Sequence, residues 1–531
     1  MTTGQARGTG RTGMARARRG FAGGVVATVV AGASAACAVG PLGGGPASAT
    51  LGPVGSSSGT ATAPAGQEKL AEYYGQKLSW QDCDGNQCAW LTVPVDYAKP
   101  EGDKLKLRVL KVPARGESKG VLFVNPGGPG GSATEYAAVA NFIVTTKVRQ
   151  TYDVVGVDPR GVAQSNPVRC LDDPAMDTML GFDPSPDDAA ERAEAEKIGK
   201  DFGAACEAKY PALLPHLGTT DVVRDMDIAR AAMGQNKFIY LGKSYGTYLG
   251  AIYADTFPGT VGRMVLDGAM APSLTDKELS LGQAQGFETA TRSYVADCVK
   301  KGGCPLGGSV DEGMKAIRDL LTSLDAKPIP IKGDARVKQL TEGWASLGLA
   351  AAMYAQERWP QLTTALRGAK AGDGTNLFEL ANSYADRENG RYTSNIMQVI
   401  SAVNCLDHPV ERLSEEQQKA QVEEFTKAAP TWGPFMSGSS YTCLNWPAQP
   451  TLKPKAVSAE GAPPIMVVGT TRDPATPYEW AQKMAREFKN GRLVSWDGDG
   501  HTAYMRSNRC VNDAVDNYLV DGKVPDGDVK C

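Results

Sequence analysis

The sequence predicts an α/β fold, in which a mostly parallel sheet carries helices on both faces and receives an inserted helical lid. Short apolar or β-branched runs alternate with helix-like stretches, and near-continuous apolar strands are typical of a parallel sheet covered on both faces. Between residues 272 and 454 the strand-like runs give way to amphipathic helical stretches. The predicted strands are residues 105–112, 121–125, 152–158, 238–242, 263–267, 464–469 and 493–496.

The chain divides into five predicted segments. Residues 1–36 are predicted to be a signal peptide and residues 37–67 a linker or pro-segment, because the latter consist mostly of Gly, Ser, Ala, Pro and Thr and cannot bury enough apolar surface to fold. Residues 68–271 and 455–531 are predicted to form the two parts of the sheet core. Residues 272–454 are predicted to form the lid, over the carboxyl edge of the sheet.

The N-terminus has the features of an export signal. A basic stretch, MARARRGF, precedes the apolar stretch AGGVVATVVAGASAA, which is too short and too poor in Leu and Ile to be a transmembrane helix. Small-residue peptidase sites occur at residues 33–35 and 47–49, and Cys37 follows a lipoprotein-like motif. We therefore expect a protein that is secreted, or attached to the outer face of the cell membrane through a lipid on Cys37.

The charge balance argues against nucleic acid as a partner. The formal net charge is −3 at pH 7, and the first 67 residues hold five arginines and no acidic residue. The folded part is therefore acidic, without the basic patch that nucleic acid binding requires.

The cysteines support an oxidising compartment. The chain has 11 cysteines, of which ten lie beyond the signal region, an even number that suits disulfides in an exported protein. Sequence does not fix the connectivity, and ten reduced cysteines remain the alternative. We expect no metal site, because no CxxC motif or clustered histidine accompanies the cysteines. The predicted pairs are Cys83 with Cys88, Cys170 with Cys206, Cys298 with Cys304, Cys405 with Cys443, and Cys510 with Cys531.

Ser244 is the candidate nucleophile. It lies between two glycines in GKSYG, directly after the apolar run FIYL and before a helix-like stretch, which is the context of a nucleophile elbow. At such a turn the glycines remove Cβ atoms that would clash, and the hydroxyl is exposed beside a helix N-terminus. A tight packing turn without catalytic function is the alternative.

The candidate base is His501, one of only 3 histidines. It follows the last predicted strand in a glycine-rich loop, where an imidazole can reach the edge of the sheet. His216 lies among apolar residues and is expected to be structural. His408 lies in the predicted lid, where it is either part of a pocket or an ordinary loop residue.

The candidate acid is Asp473, which follows a predicted strand and lies between the serine and the histidine in chain order. There it can orient the imidazole of His501 and stabilise its charged form. Asp267 also ends a strand and is the competing candidate. Asp497 and Asp499 are too close to the histidine along the chain to orient it easily.

The glycine-rich stretch NPGGPGGS, residues 125–132, is the candidate oxyanion hole. Its glycines allow backbone N–H groups to approach a substrate oxygen. Pro129 has no N–H, so we expect the donors to be Gly128, or Gly127, together with the N–H of Tyr245. A phosphate-binding loop is the rival interpretation, but the lysine and Ser/Thr of that motif are missing.

Several long motifs resemble a known family. NPGGPGGS, YDVVGVDPRGVAQS, GKSYGTYLGAIYADTFP, VLDG and TTRDPATP look like those of the secreted tripeptidyl aminopeptidases of actinomycetes and a related mycobacterial lipoprotein serine protease, all relatives of the prolyl aminopeptidases. The likeness covers residues 80–531. It implies an α/β-hydrolase core with a helical lid, and it assigns nucleophile, acid and base to Ser244, Asp473 and His501.

The resemblance leaves the substrate open, because some of these relatives release tripeptides from free N-termini whereas the mycobacterial one acts more like an endopeptidase. Trimming from an N-terminus requires a carboxylate for the substrate ammonium, and Asp407 in the lid is the candidate. The glutamates that prolyl aminopeptidases use have no matching motif here, and Asp407 can also be an ordinary loop acid. We expect a monomeric peptidase that acts on peptides or proteins without a metal or organic cofactor and releases tripeptides from N-termini. A secreted endopeptidase, a secreted esterase or lipase, and a non-catalytic surface protein are the alternatives.

Overall fold

A computed structural model describes residues 50–52, 63–64, 66–438 and 441–531. The predicted signal peptide, Cys37 and most of the predicted linker lie outside these residues. Within them, no helix is both long enough and apolar enough to cross a membrane.

The strands follow the predicted apolar runs and add several others. In chain order they are β1 (Gln81–Cys83), β2 (Asn86–Pro94), β3 (Lys104–Val112), β4 (Val121–Asn125), β5 (Asp153–Val157), β6 (Phe238–Lys243), β7 (Val261–Asp267), β8 (Ile329–Pro330), β9 (Gln339–Leu340), β10 (Arg387–Glu388), β11 (Arg391–Tyr392), β12 (Ile465–Arg472), β13 (Gly491–Asp499) and β14 (Val529–Lys530).

Ten of these strands form one sheet, in the order β1-β2-β3-β5-β4-β6-β7-β12-β13-β14. From β5 to β14 all neighbours are parallel, and β1, β2 and β3 pair antiparallel at one edge. β1 and β2 were missed by the sequence analysis, because β1 is exposed and polar and β2 carries exposed residues between its buried ones. The mostly parallel α/β sheet is confirmed.

Helices lie on both faces of this sheet. In chain order the α-helices are α1 (Ala71–Tyr74), α2 (Ala133–Ala138), α3 (Ala140–Ile143), α4 (Thr146–Thr151), α5 (Asp173–Gly181), α6 (Ala189–Lys209), α7 (Thr219–Ala232), α8 (Tyr245–Thr256), α9 (Asp276–Lys301), α10 (Val310–Ala326), α11 (Glu342–Met353), α12 (Trp359–Lys370), α13 (Thr375–Tyr384), α14 (Ile396–Asp407), α15 (Glu415–Ala428), α16 (Gly433–Ser437), α17 (Tyr441–Leu444), α18 (Tyr478–Glu487) and α19 (Arg509–Asp521). Short 3₁₀ helices span Glu68–Leu70, Leu214–His216, Pro258–Thr260 and Gln356–Arg358.

Two hydrophobic clusters show that both faces are covered. Successive residues of a strand point to opposite faces, and in β6 Tyr240 belongs to one cluster while Ile239 and Leu241 belong to the other. All six residues of β6 are buried. This double burial explains why the central strands appear in the sequence as unbroken apolar runs.

Between β7 and β12 the described chain forms nine α-helices, α9 to α17, and two short hairpins. These helices have a hydrophobic cluster of their own, around Trp344, Leu362 and Phe378. Earlier helices pack against them as well, since α5 contacts α11 and α6 contacts α17. The division at residue 271 stays a prediction.

The five predicted disulfide pairs are confirmed. Two of them join distant segments, since Cys170–Cys206 ties the chain before α5 to the end of α6, and Cys405–Cys443 ties α14 to α17. The other three are Cys83–Cys88, Cys298–Cys304 and Cys510–Cys531.

Candidate active site

Ser244 is the single residue between β6 and α8 and forms the sharp turn that joins them. Its φ of 55° and ψ of −127° are strained for a residue with a side chain. A Cβ on Gly242 would lie 2.3 Å from the carbonyl oxygen of Gly246, and one on Gly246 would lie 2.8 Å from that of Asn125. Only glycine fits at both positions, which explains the spacing of glycine, serine and glycine in the sequence.

Asp473 and His501 form a buried pair at the carboxyl edge of the sheet. Asp473 follows β12, His501 lies in the loop after β13, and Nδ1 of the imidazole is 2.8 Å from Oδ1 and 3.0 Å from Oδ2 of the carboxylate. The carboxylate also accepts backbone N–H groups from Ala475, Thr476 and Thr502, at 3.0, 2.9 and 3.1 Å. These bonds fix the carboxylate, which in turn assigns the proton of the neutral imidazole to Nδ1.

The other nitrogen of His501, Nε2, is buried and has no hydrogen-bond partner among the described residues. The turn formed by Asp267 and Gly268 contacts both this histidine and Ser244. The carbonyl oxygen of Asp267 accepts the N–H of Ser244 at 3.0 Å, and a Cβ on Gly268 would lie 3.3 Å from Cε1 of His501. The structure therefore brings the serine turn and the imidazole to the same short segment.

The glycine-rich loop after β4 packs directly on the serine turn. A Cβ on Gly127 would lie 2.8 Å from Cβ of Ser244 and 2.9 Å from the backbone nitrogen of Tyr245. Gly127 donates its own N–H to Asn125 Oδ1 at 2.9 Å, whereas no acceptor for the Gly128 N–H lies among the described residues. Tyr245 is the first residue of α8, so its N–H has no acceptor within the helix.

Asp267, the competing acid, contacts the backbone of the histidine loop rather than the imidazole. Its carboxylate accepts the N–H groups of Ala503 and Tyr504 at 2.9 and 3.0 Å and lies 3.5 Å from Nζ of Lys243. Of the two acids that the sequence left open, the structure brings Asp473 to the imidazole Nδ1.

Asp407 lies at the end of α14 and is only 1% exposed. Its carboxylate accepts the N–H of Thr219 at 2.8 Å and the hydroxyl of the same residue at 2.6 Å, and the hydroxyl of Tyr245 lies 3.5 Å away. Burial raises the pKa of Asp407 to about 7. Burial disfavours the charged carboxylate, whereas the hydrogen bonds from Thr219 and Tyr245 favour it. The contact of Asp407 with a substrate ammonium stays a prediction.

The remaining histidines have other partners. Nδ1 of His216 is 3.0 Å from Asp221 Oδ2. The ring of His408 packs edge-on against Tyr248, with centroids 5.4 Å apart, and burial lowers the pKa of His408 to about 4. The imidazole contact with Asp473 belongs to His501.

Helices after β7 cover the loops that carry these groups. Tyr354, after α11, accepts the N–H of His501 on its carbonyl oxygen at 3.0 Å, and its ring packs edge-on against the imidazole with centroids 5.2 Å apart. A Cβ on Gly130 would lie 3.0 Å from Cβ of Val399 in α14. Sequence reasoning missed Tyr354, because no pattern along the chain connects it to the histidine loop.

Comparison with known proteins gives consistent relatives. A family model described as TAP-like protein matches residues 429–531. The chain is 36% identical to serine protease Hip1 of Mycobacterium tuberculosis over 88% of this chain and 93% of the relative. It is also 36% identical to carboxylesterase B of the same organism, over 88% and 92%, and 32% identical to the tripeptidyl aminopeptidase of Streptomyces lividans, over 96% and 95%.

The fold and these relatives define a serine hydrolase of the α/β-hydrolase class. The chain belongs to the peptidase family that includes the mycobacterial Hip1 protease and the Streptomyces tripeptidyl aminopeptidases. The resemblance identified from the motifs is thereby confirmed at the level of the family.

Proposed function

We propose that this protein is an exported peptidase in which Ser244 is the nucleophile, His501 the general base and Asp473 the acid that orients the base. One observation carries the proposal. Asp473 lies 2.8 Å from Nδ1 of His501, and Nε2 of the same ring has no hydrogen-bond partner among the described residues. The turn of Asp267 and Gly268 contacts both this ring and the strained turn of Ser244. That order of carboxylate, imidazole and hydroxyl is the one that activates a serine.

The proposed reaction is acyl transfer in two steps. His501 Nε2 removes the hydroxyl proton of Ser244 as the oxygen attacks the peptide carbonyl, and the resulting imidazolium is stabilised by Asp473. The imidazolium then protonates the leaving amine, which frees the first product and leaves an acyl-enzyme. Water, deprotonated by the same imidazole, hydrolyses the ester and restores the serine.

The oxyanion of each tetrahedral intermediate is proposed to bind the backbone N–H groups of Gly128 and Tyr245. Both belong to segments that meet at Ser244, and Gly127 donates its N–H elsewhere. N–H groups fixed in this way stabilise developing charge without reorganising, and losing one typically costs about 10²–10³ in kcat.

We propose that the substrates are peptides or proteins and that tripeptides are released from their N-termini. The relatives named tripeptidyl aminopeptidase support this choice. Helices α11 and α14 also lie on two of the site loops, which favours a site that admits chain ends. An endopeptidase is the second candidate, because Hip1 is named a serine protease, and an esterase is the third, because another relative is named carboxylesterase B.

The compartment and assembly belong to the same proposal. Five disulfides are typical of an oxidising environment, which supports a protein that is secreted or held at the outer membrane face through Cys37. We propose that it acts as a monomer without metal or organic cofactor, with a lid formed by residues 272–454.

Mass spectrometry of products distinguishes the candidates. A peptide is offered with a free and with an acetylated N-terminus, beside a short acyl ester. Tripeptides from the free form alone support the aminopeptidase, and internal cleavage of both forms indicates the endopeptidase. Ester hydrolysis without any peptide cleavage indicates the esterase and contradicts the peptidase proposal.

The variant Ser244→Ala tests the nucleophile directly. We expect peptide turnover to fall to background with the folding transition intact, because no other group can form the acyl-enzyme. Ser118→Ala, on an exposed loop, is the matched control and should keep full activity. Turnover by Ser244→Ala above background would reject the assignment.

A further inference from the structure

A buried ion pair lies directly beneath the serine turn. Lys243, the residue before Ser244, is 7% exposed, and Asp267 is fully buried. Nζ of the lysine lies 3.5 Å from Oδ2 of the aspartate and donates to the carbonyl oxygen of Tyr504 at 2.7 Å. Buried charges are expensive unless they are paired and hydrogen-bonded, so this pair needs a reason to be there.

Asp267 forms hydrogen bonds to the two segments that carry the reacting side chains, the turn of Ser244 and the loop of His501. Its backbone carbonyl oxygen accepts the N–H of Ser244 at 3.0 Å. Its carboxylate oxygens each accept one N–H from the histidine loop, those of Ala503 and Tyr504. One residue therefore connects the nucleophile turn to the loop that carries the base.

The histidine loop requires such a restraint. Thr502 and Met505 have positive φ values of 67° and 65°, which are unfavourable for residues with side chains. Strained residues persist only where the surroundings hold them. The bonds to Ala503 and Tyr504 lie between the two strained positions.

We propose that Lys243 and Asp267 are positioning residues, which hold the loop of His501 at reacting distance from Ser244. Lys243 neutralises the Asp267 carboxylate, so both of its oxygens stay available as acceptors for the two loop N–H groups. The ammonium group of Lys243 also donates a hydrogen bond directly to the carbonyl oxygen of Tyr504. The inference rests on the proposed roles of Ser244 and His501.

Other polar and charged groups surround the ion pair of Lys243 and Asp267. Arg506 donates to the carbonyl oxygen of His501 and to that of Tyr354, both at 3.0 Å. Burial, together with the nearby charge of the Asp267 carboxylate, raises the pKa of the Tyr136 hydroxyl in α2. Burial lowers the pKa of Lys243, and the Asp267 carboxylate opposes that effect.

The test is Lys243→Met, which keeps the length of the side chain and removes its charge. Active sites are counted by stoichiometric reaction with a fluorophosphonate, in which the serine oxygen displaces fluoride from phosphorus. We expect kcat per titrated site to fall about tenfold or more with KM within twofold of wild type, since small displacements of reacting groups cost up to about 10²-fold. The rate constant of phosphonylation should fall in parallel.

Lys237→Met is the matched control. Lys237 precedes the same strand and also donates to a backbone carbonyl oxygen, that of Gly259 at 2.7 Å, but on the exposed side of the protein. Its kcat per site should equal that of wild type.

A purely structural role predicts a different result, namely fewer titratable sites with an unchanged kcat per site, and that outcome would overturn the inference. If Lys243→Met does not fold, the double variant Lys243→Met with Asp267→Asn removes both charges together. It should also show reduced kcat per site, because an asparagine offers one acceptor oxygen for two N–H groups, and wild-type kcat there would refute the proposal. Labelling of Ser244→Ala by the fluorophosphonate would instead indicate failure of the proposed function.

Discussion

Two buried acids of this protein, Asp473 and Glu342, have opposite surroundings. At the edge of the sheet, the carboxylate of Asp473 is surrounded by donors, three backbone N–H groups and the imidazole of His501. In the helical region, the acids Asp183, Asp325 and Glu342 bring carboxylate oxygens within 4.8 Å of one another. The hydroxyl of Ser185 donates to the Glu342 carboxylate at 2.7 Å. It is the only donor from outside this group of acids among the described contacts.

The difference shows how surroundings decide what a buried acid does. Among donors, a carboxylate keeps its charge and can orient a base. Among other carboxylates, ionisation of a carboxyl group is disfavoured. Burial, and to a smaller extent the neighbouring Asp183 and Asp325, raise the pKa of Glu342 to about 8. Asp407 lies between these cases, since Thr219 and Tyr245 donate to it but no cation among the described residues contacts it, and burial raises its pKa to about 7.

The largest effect is expected from Asp473→Asn, which breaks the donor-rich site. An amide would present N–H to Nδ1 of His501 and favour the wrong tautomer, so we expect kcat to fall about 10⁴-fold. Steady-state kinetics on a peptide substrate, with thermal unfolding measured in parallel, provide the check. Asp497→Asn alters an exposed acid that pairs with Arg472 and should keep kcat. If Asp473→Asn loses less than tenfold, Asp473 does not orient the base.

A smaller effect, on stability, is expected from Asp407→Asn. The ordinary pKa of this group is 3.8, and the folded protein raises it to about 7. Between those values the unfolded chain has released a proton that the folded protein still holds, so the free energy of unfolding falls as pH rises from about 4 to about 7. The variant cannot ionise and should gain about 2–4 kcal/mol relative to wild type over this range.

Urea unfolding of wild type and Asp407→Asn at pH 5 and pH 8 measures this gain. The exposed change Asp319→Asn provides the control, for which the difference from wild type should be the same at both pH values. A constant difference for Asp407→Asn as well would mean that Asp407 is already ionised at pH 5.

An effect on stability of similar size is expected from Glu342→Gln, in the acid cluster. The pKa of Glu342 is raised from 4.5 to about 8, so between these values the folded protein holds a proton that the unfolded chain has released. The free energy of unfolding therefore falls as pH rises from about 4.5 to about 8. Glutamine carries no charge and can donate to Asp183, so the variant should be more stable than wild type by about 2–4 kcal/mol at pH 8 and by less at pH 5. Thermal unfolding at the two pH values measures it, with Glu357→Gln on the surface as control. Destabilisation at pH 8 would show that the cluster holds Glu342 ionised.

The sequence alone determined the central strands and the chain order of the candidate residues. The disulfide pairs were predicted correctly, but sequence does not fix their connectivity, which the structure supplied. Unbroken apolar runs identify strands buried on both faces, and each of the seven predicted runs coincides with or overlaps a strand. The glycines around Ser244 identify the turn because no residue with a Cβ fits there. Asp497 and Asp499 were disfavoured without any coordinates, because they lie too close to His501 along the chain to orient it easily.

Only the tertiary structure showed that Asp473, and not Asp267, contacts the imidazole of His501. It also gave Asp407 its buried partners and brought Tyr354 to the histidine loop. Each of these depends on side-chain direction or on contact between segments far apart in the chain. Sequence patterns record which residues are buried and where elements end, because those properties follow from neighbours along the chain. Which oxygen meets which nitrogen follows from packing across elements, and no local pattern contains that information.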